Sequence, residues 1–322
     1  MKRFAWVLGA AALALVSSAA VADDAAPPPL PPGIIGAAAG SGPYPAIAEV
    51  DPGLSNHTLY RPQRMPAKPL PVVLWGNGAC RDNGLGYARF LRQIASHGYF
   101  VVAVGHARRE EPMRPRPAPT TVPAPAVGTP GAPGPGRGAD ETQAAQLLEG
   151  LDWAVAENGR RGSPLRRKLD TGKVAVMGHS CGGLQAIAVA ADPRIRTAMI
   201  WNSGVYNRGP ATGRSGIAIT KEALRALHGP IAYVNGGPAD IAYANALDDF
   251  EKIDHVPALF AWLPVGHGGT FFTDPDGGPY ADVAIGWLDW QLKGSGKGRS
   301  MFTGPACGLC KDVAWTIRRK RL

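Results

Sequence analysis

Short apolar runs alternate with stretches of helical spacing along most of the chain. Residues 71–75 (PVVLW) are continuously apolar and stop at Gly76-Asn77-Gly78, which predicts a buried strand running into a turn. Residues 99–104, 173–177, 197–201, 231–234 and 258–263 predict five more strands, and residues 57–62 an early one ending at Pro62. Between them, apolar positions recur at helical spacing over 87–96, 142–156, 183–191, 221–227 and 241–250. Residues 280–292 predict a final amphipathic helix. This alternation implies an α/β architecture, a mostly parallel sheet with helices on both faces. Such sheets carry their sites at the carboxyl ends of the strands. No internal repeat is visible.

Three stretches depart from the pattern. Residues 1–22 read as a signal peptide: Lys2 and Arg3, an apolar run from Phe4 to Val16, and Ala20-Val21-Ala22 as an A-x-A cleavage site. The run is too short to span a bilayer comfortably. Residues 23–45 are rich in Pro, Ala and Gly and predict a tether or wrap with little regular structure. Residues 112–138 hold nine prolines and five glycines, a composition that no helix or central strand accommodates. They read as an insertion into a domain spanning 46–293, followed by a C-terminal extension over 294–322.

Composition narrows the picture further. Of 322 residues 45% are hydrophobic and 18% charged, which excludes disorder throughout. With 42 Gly and 31 Pro, a long helical array is excluded as well. The formal charge of +9 becomes +7 once Lys2 and Arg3 are removed. The basic residues are scattered and no stripe interleaves them with aromatics, so a solvated surface is expected, not a nucleic-acid partner.

The chemistry concentrates at three predicted strand ends. Gly178-His179-Ser180-Cys181-Gly182 fits G-x-S-x-G between a strand and a helix. A tight turn there presents the Ser180 hydroxyl outward, and the glycines leave room for it. A serine needs a base, and His267, in Gly266-His267-Gly268-Gly269, follows the last predicted strand. His97 and His228 fall at helix ends, His57 precedes an early strand, and His255 lies before the last strand at the wrong edge. His106 follows a strand and is expected to line the cleft, and His179 to pack beneath the turn. Asp240, after Asn235-Gly236-Gly237-Pro238, is placed to orient the base. Two backbone donors are required for an oxyanion: Cys181, directly after the nucleophile, and Asn77, with Gly78 the alternative.

The motifs at 178–183, 75–78, 95–99, 236–240 and 266–270 resemble the α/β-hydrolase superfamily over roughly residues 42–293. They are closest to the secreted dienelactone-hydrolase-like and cutinase-like polyester hydrolases. The resemblance implies an α/β-hydrolase fold with little or no cap, no metal and no organic cofactor. It also implies an acyl pocket lined by Trp201; Gly78 and His106, from their places after predicted strands, are expected along the same cleft. Dienelactone hydrolases use a Cys nucleophile where Ser180 stands, and cutinase-like members lack the Pro-rich insertion, so substrate does not transfer with the fold. In this fold Cys80 and Cys181 fall on neighbouring strand ends and are candidates for a disulfide. Cys307-x-x-Cys310 lacks a second ligand pair for zinc and reads as a local disulfide.

The expectation is an exported, periplasmic or secreted, monomeric serine hydrolase acting on small or polymeric carboxylic esters. It has no membrane anchor once the signal is cleaved. An amidase or peptidase with the same triad and a non-catalytic binding protein on a hydrolase fold are the alternatives.

Overall fold

The computed structural model describes residues 1, 33–119, 122, 141–207, 211–214 and 217–322. The signal segment and most of the Pro-rich insertion lie outside the described residues. The chain runs through β1 (Ile34–Ala39), β2 (Ala46–Glu49), β3 (His57–Pro62), β4 (Leu70–Gly76), α1 (Ala88–Ser96) and β5 (Phe100–Val104). It continues with α2 (Ala144–Gly159), β6 (Leu169–His179), α3 (Cys181–Val189), β7 (Ile195–Trp201) and a small hairpin, β8 (Ala211–Arg214) and β9 (Ile217–Ile219). Then follow β10 (Ile231–Asn235), α4 (Tyr243–Lys252), β11 (Ala258–Trp262), α5 (Gly278–Lys293), α6 (Gly296–Phe302), α7 (Gly308–Lys311) and β12 (Thr316–Lys320).

Ten strands form one sheet in the order β1-β2-β3-β5-β4-β6-β7-β10-β11-β12. The run from β5 to β11 is parallel throughout, while β1, β2, β3 and β12 pair antiparallel at the two flanks. Strand alternation fills a core on each face. Val72 and Leu74 of β4 join Leu147, Leu151 and Ile187 of α2 and α3 on one side. Val73 and Trp75 join Phe90 and Ile94 of α1 and Trp287 of α5 on the other. Both faces of the central strands are therefore apolar, which is why those strands read as unbroken hydrophobic runs. Helix α1 ends where Gly98 takes φ +84°, a left-handed termination that glycine adopts at little cost.

The predicted central strands and main helices form where expected, and four differences stand out. Part of 23–45 is strand β1, paired to β2 from Ile34↔Glu49 to Ala39↔Ala46. Residues 221–226 wind as a 3₁₀ turn, not an α-helix. Helix α5 is not the last, because α6 and α7 follow it. The basic tail is strand β12, in register with β11 from Ala258↔Lys320 to Trp262↔Thr316. Its Lys320 Nζ donates to the carbonyls of Phe250, Glu251 and Ile253 at the end of α4, and Arg318 pairs with Glu251. A charged run is thus a sheet edge whose cations close a helix C-terminus. Among the described residues no helix is long and apolar enough to cross a membrane.

Candidate active site

Five neighbouring parallel strands deliver their carboxyl ends to one place. Strand β4 ends before Asn77, β6 before Ser180 and β7 before Asn202, while β10 leads into the loop that carries Asp240. The loop after β11 carries His267. Ser180 has φ +54°, ψ −118°, a conformation costly for any residue with a side chain and diagnostic of the sharp strand-to-helix turn. The turn is possible because glycines surround it. A Cβ on Gly178 would lie 2.1 Å from the Gly182 carbonyl oxygen, and one on Gly182 would lie 2.1 Å from the Gly76 oxygen and 2.6 Å from the Asn77 nitrogen.

His267 Nε2 lies 2.8 Å from Ser180 Oγ, and its Nδ1 lies 2.6 Å from Asp240 Oδ1. Asp240 is buried and accepts from the Gly236 and Ala242 amides and from Asn202 Nδ2. Burial pushes its carboxyl up, but His267 and the two amides outweigh burial and hold it below the usual carboxylate range. An ionised Asp240 fixes the proton on His267 Nδ1 and leaves Nε2 free to accept from Ser180.

Two amides stand beside the nucleophile turn, and among the described residues neither has an acceptor. Cys181 N begins α3, where the first N–H groups have no intrahelical acceptor. Asn77 N abuts Gly182, and among the described residues it donates to no acceptor. The Asn77 side chain is buried and fully committed: Oδ1 accepts from Trp75 Nε1, and Nδ2 donates to the Arg81 and Val104 carbonyls. A disulfide joins Cys80 to Cys181 and so ties the turn after β4 to the start of α3; a second joins Cys307 to Cys310.

The remaining predicted residues fall elsewhere. Trp201 is fully buried, packed against Phe90, Phe271 and Tyr280, so it belongs to the core and does not line an acyl pocket. Its position on the α1/α5 face of β7 follows from strand alternation, which the neighbouring Asn202 escapes. Gly78 gives its N–H to the Tyr87 hydroxyl at 3.2 Å, so it is not a free donor, and a Cβ there would lie 2.4 Å from the Tyr87 hydroxyl and 2.5 Å from His179 Nδ1. His106 is exposed at the end of β5 and bonded to Asp82. His179 lies beneath the turn, as expected. Burial, with the His267 charge second, lowers its pKa to about 3, so the ring is neutral.

Sequence reasoning missed Asn202, Ser203, Tyr87 and Thr142. Asn202 bridges Asp240 and the Gly266 carbonyl, and Ser203 Oγ donates to the Ser180 carbonyl. Thr142 donates from both N and Oγ1 to the Cys80 carbonyl. Only the position of Asn202, directly after a strand at the carboxyl edge, offered a signal.

Residues 138–231 match the model of a family described as PETase: PET hydrolase-like. The match covers the Ser180 turn and the strands around it, and ends before Asp240 and His267. No curated protein matches the chain. Sheet, nucleophile turn and family match together make this chain a serine ester hydrolase of α/β-hydrolase fold, similar over residues 138–231 to the PET hydrolase-like family.

Proposed function

We propose that Ser180, His267 and Asp240 form a catalytic triad that cleaves carboxylic esters through an acyl-enzyme. The observation that carries this is the continuous chain of contacts, 2.8 Å from Ser180 Oγ to His267 Nε2 and 2.6 Å from His267 Nδ1 to Asp240 Oδ1. Ser180 Oγ attacks the ester carbonyl and gives its proton to His267 Nε2. The charge that moves onto the carbonyl oxygen is met by the Asn77 and Cys181 N–H groups, each worth about 10²–10³ in rate in comparable sites. Collapse breaks the C–O bond, and His267 returns its proton to the departing alcohol. Water then attacks the acyl-Ser180 carbonyl and loses a proton to His267, and as the C–Oγ bond breaks His267 returns that proton to Ser180 Oγ, freeing the carboxylic acid.

The substrate class is an ester of small or polymeric kind, the latter supported by the similarity to PET hydrolases. The two disulfides support export to an oxidising compartment after cleavage behind Ala22. The test is hydrolysis of p-nitrophenyl esters from acetate to decanoate by wild type and Ser180→Ala. The expected result is ester turnover that falls by at least about 10⁴-fold in kcat in the variant. Retention of activity by Ser180→Ala would overturn the triad, and a signal-bearing precursor found uncleaved in the cell would overturn export.

A further inference from the structure

His179 occupies the variable position of the G-x-S-x-G turn, and both of its ring nitrogens are engaged inside the protein. Its Nε2 lies 2.8 Å from the His267 carbonyl oxygen and its Nδ1 lies 2.7 Å from the Tyr87 hydroxyl. Only one set of directions satisfies these contacts. A carbonyl can only accept, so Nε2 carries the hydrogen and donates to it. Nδ1 then holds a lone pair and accepts from Tyr87, whose oxygen in turn accepts from the Gly78 N–H at 3.2 Å. The result is one directed line: Gly78 N–H to Tyr87 Oη–H to His179 Nδ1, and His179 Nε2–H to the His267 carbonyl.

The line joins the base loop to the donor segment. The base loop is Gly266-His267-Gly268-Gly269, and a Cβ on Gly266 or Gly268 would meet nothing within 4 Å. That loop packs closely at Gly269 against the Tyr280 ring and at Gly266 against Gly236, and its hydrogen bonds include the Gly266 amide to the Gly236 carbonyl, Asn202 Nδ2 to the Gly266 carbonyl, His267 Nδ1 to Asp240 and His179 to the His267 carbonyl. The other end of the line is the donor segment, where Gly78 directly follows Asn77. Tyr87 and His179 are themselves nearly inaccessible and are wedged by Phe271, which packs edge-on at 5.2 Å against each ring. A ring so placed has no free atom to offer a substrate.

We infer that His179 and Tyr87 are positioning residues, a neutral hydrogen-bonded strut that sets the distance between the oxyanion-donor segment and the base loop across the nucleophile turn. The inference rests on the triad reading given above. Because the strut acts on the alignment of the reacting groups, its loss lowers kcat and leaves KM for a small ester nearly unchanged.

The experiment measures kcat, KM, the rate of inactivation by a fluorophosphonate, and the melting temperature for four variants of the full mature enzyme with p-nitrophenyl butyrate. Tyr87→Phe keeps the ring and removes only the hydroxyl; an approximately 5- to 20-fold loss in kcat is expected. His179→Phe removes both contacts, with a loss of about 10²-fold. The Tyr87→Phe/His179→Phe double variant is expected to lose clearly less than the product of the two single losses, since in His179→Phe the hydroxyl has already lost its acceptor and keeps only the Gly78 contact. His179→Gln, whose amide can still donate to the His267 carbonyl, is expected to recover part of the loss. Inactivation by the fluorophosphonate should slow in parallel with kcat. A lowered melting temperature with unchanged kcat per folded molecule, or independent multiplying losses in the double variant, would overturn the strut. Ser180→Ala runs alongside: an inactive Ser180→Ala with a fully active Tyr87→Phe removes the strut alone, whereas an active Ser180→Ala removes the triad and the strut with it.

Discussion

Ser180 sits in a left-handed conformation because Gly178 and Gly182 let three backbones approach where any side chain would intrude. Gly182→Ala is therefore expected to displace the Gly76–Asn77 peptide and cost at least about 10²-fold in kcat, since misplacement by about 1 Å suffices for that. Steady-state kinetics on the folded variant checks it. His179 carries a second consequence. Burial lowers its pKa from 6.5 to about 3, so the unfolded chain takes up the proton first as the pH falls. Its contribution to stability is complete above pH 6.5 and is lost below it at about 1.4 kcal/mol per unit. Wild type should thus lose about 2 kcal/mol more than His179→Gln between pH 7 and pH 5. Melting temperatures of the two proteins against pH measure the difference, in which the buried His57 and Asp249 cancel. Ser180, Asp240 and His267 could be read from the sequence because each stands in a glycine-marked turn after an apolar run. Tyr87 could not, because a tyrosine opening an amphipathic helix looks like any other core aromatic. Trp201 was misread for the converse reason: its neighbour was at the strand end, but its own face of β7 points into the core.

Elements were readable wherever burial alone decides them. Strands β4, β5, β6, β7, β10 and β11 are apolar on both faces, and no other structure hides such runs. Strand β1, with the sequence IIGAAA, has weak intrinsic preference and exists because β2 offers it an edge. The 3₁₀ turn at Lys221–Ala226 differs from the expected helix over a single turn or two, where spacing does not discriminate. The link between the turn at residues 78–80 and α3 is covalent as well as packed. Cys80, with φ +48°, follows the donor Asn77 by three residues, and its disulfide to Cys181 closes a loop of 101 residues. A loop of that length corresponds to about 4–5 kcal/mol in the chain-entropy account. Replacing both cysteines, Cys80→Ser with Cys181→Ser, is expected to lower unfolding free energy by about 2–5 kcal/mol. It should also reduce kcat, because the segments bearing the two donors are no longer tied. Guanidinium unfolding and ester kinetics on the same preparation separate the two effects, and treatment of wild type with a dithiol should reproduce them.

The sheet extends beyond the stretch that the sequence marks as a domain, and both additions protect its edges. On one flank β1 pairs antiparallel outside β2; on the other, β12 covers β11. Without β12 the edge would be ALFAW, a buried apolar strand with unpaired backbone groups, of the kind that pairs with other chains. The new edge, TIRRK, is basic and partly exposed, which discourages such pairing. The segment leading to it is packed as core. Phe302, Cys307, Leu309 and Trp315 join the cluster under α5, with Phe302 against Trp287 at 5.3 Å. Burying Phe302 and Leu309 alone is worth about 1.5–3 kcal/mol each. Residues 294–322 are therefore expected to be integral to the fold and not a detachable tail, although they lie more than fifty residues from the Ser180 turn. A chain ending at Lys293 should lose more stability than the double-serine variant and should associate through β11. The readouts are melting temperature and size-exclusion elution. A truncated protein that elutes as wild type does and melts within 2 °C of it, roughly the shift that 1 kcal/mol produces in a domain of this size, would show that β12 and its helices are dispensable.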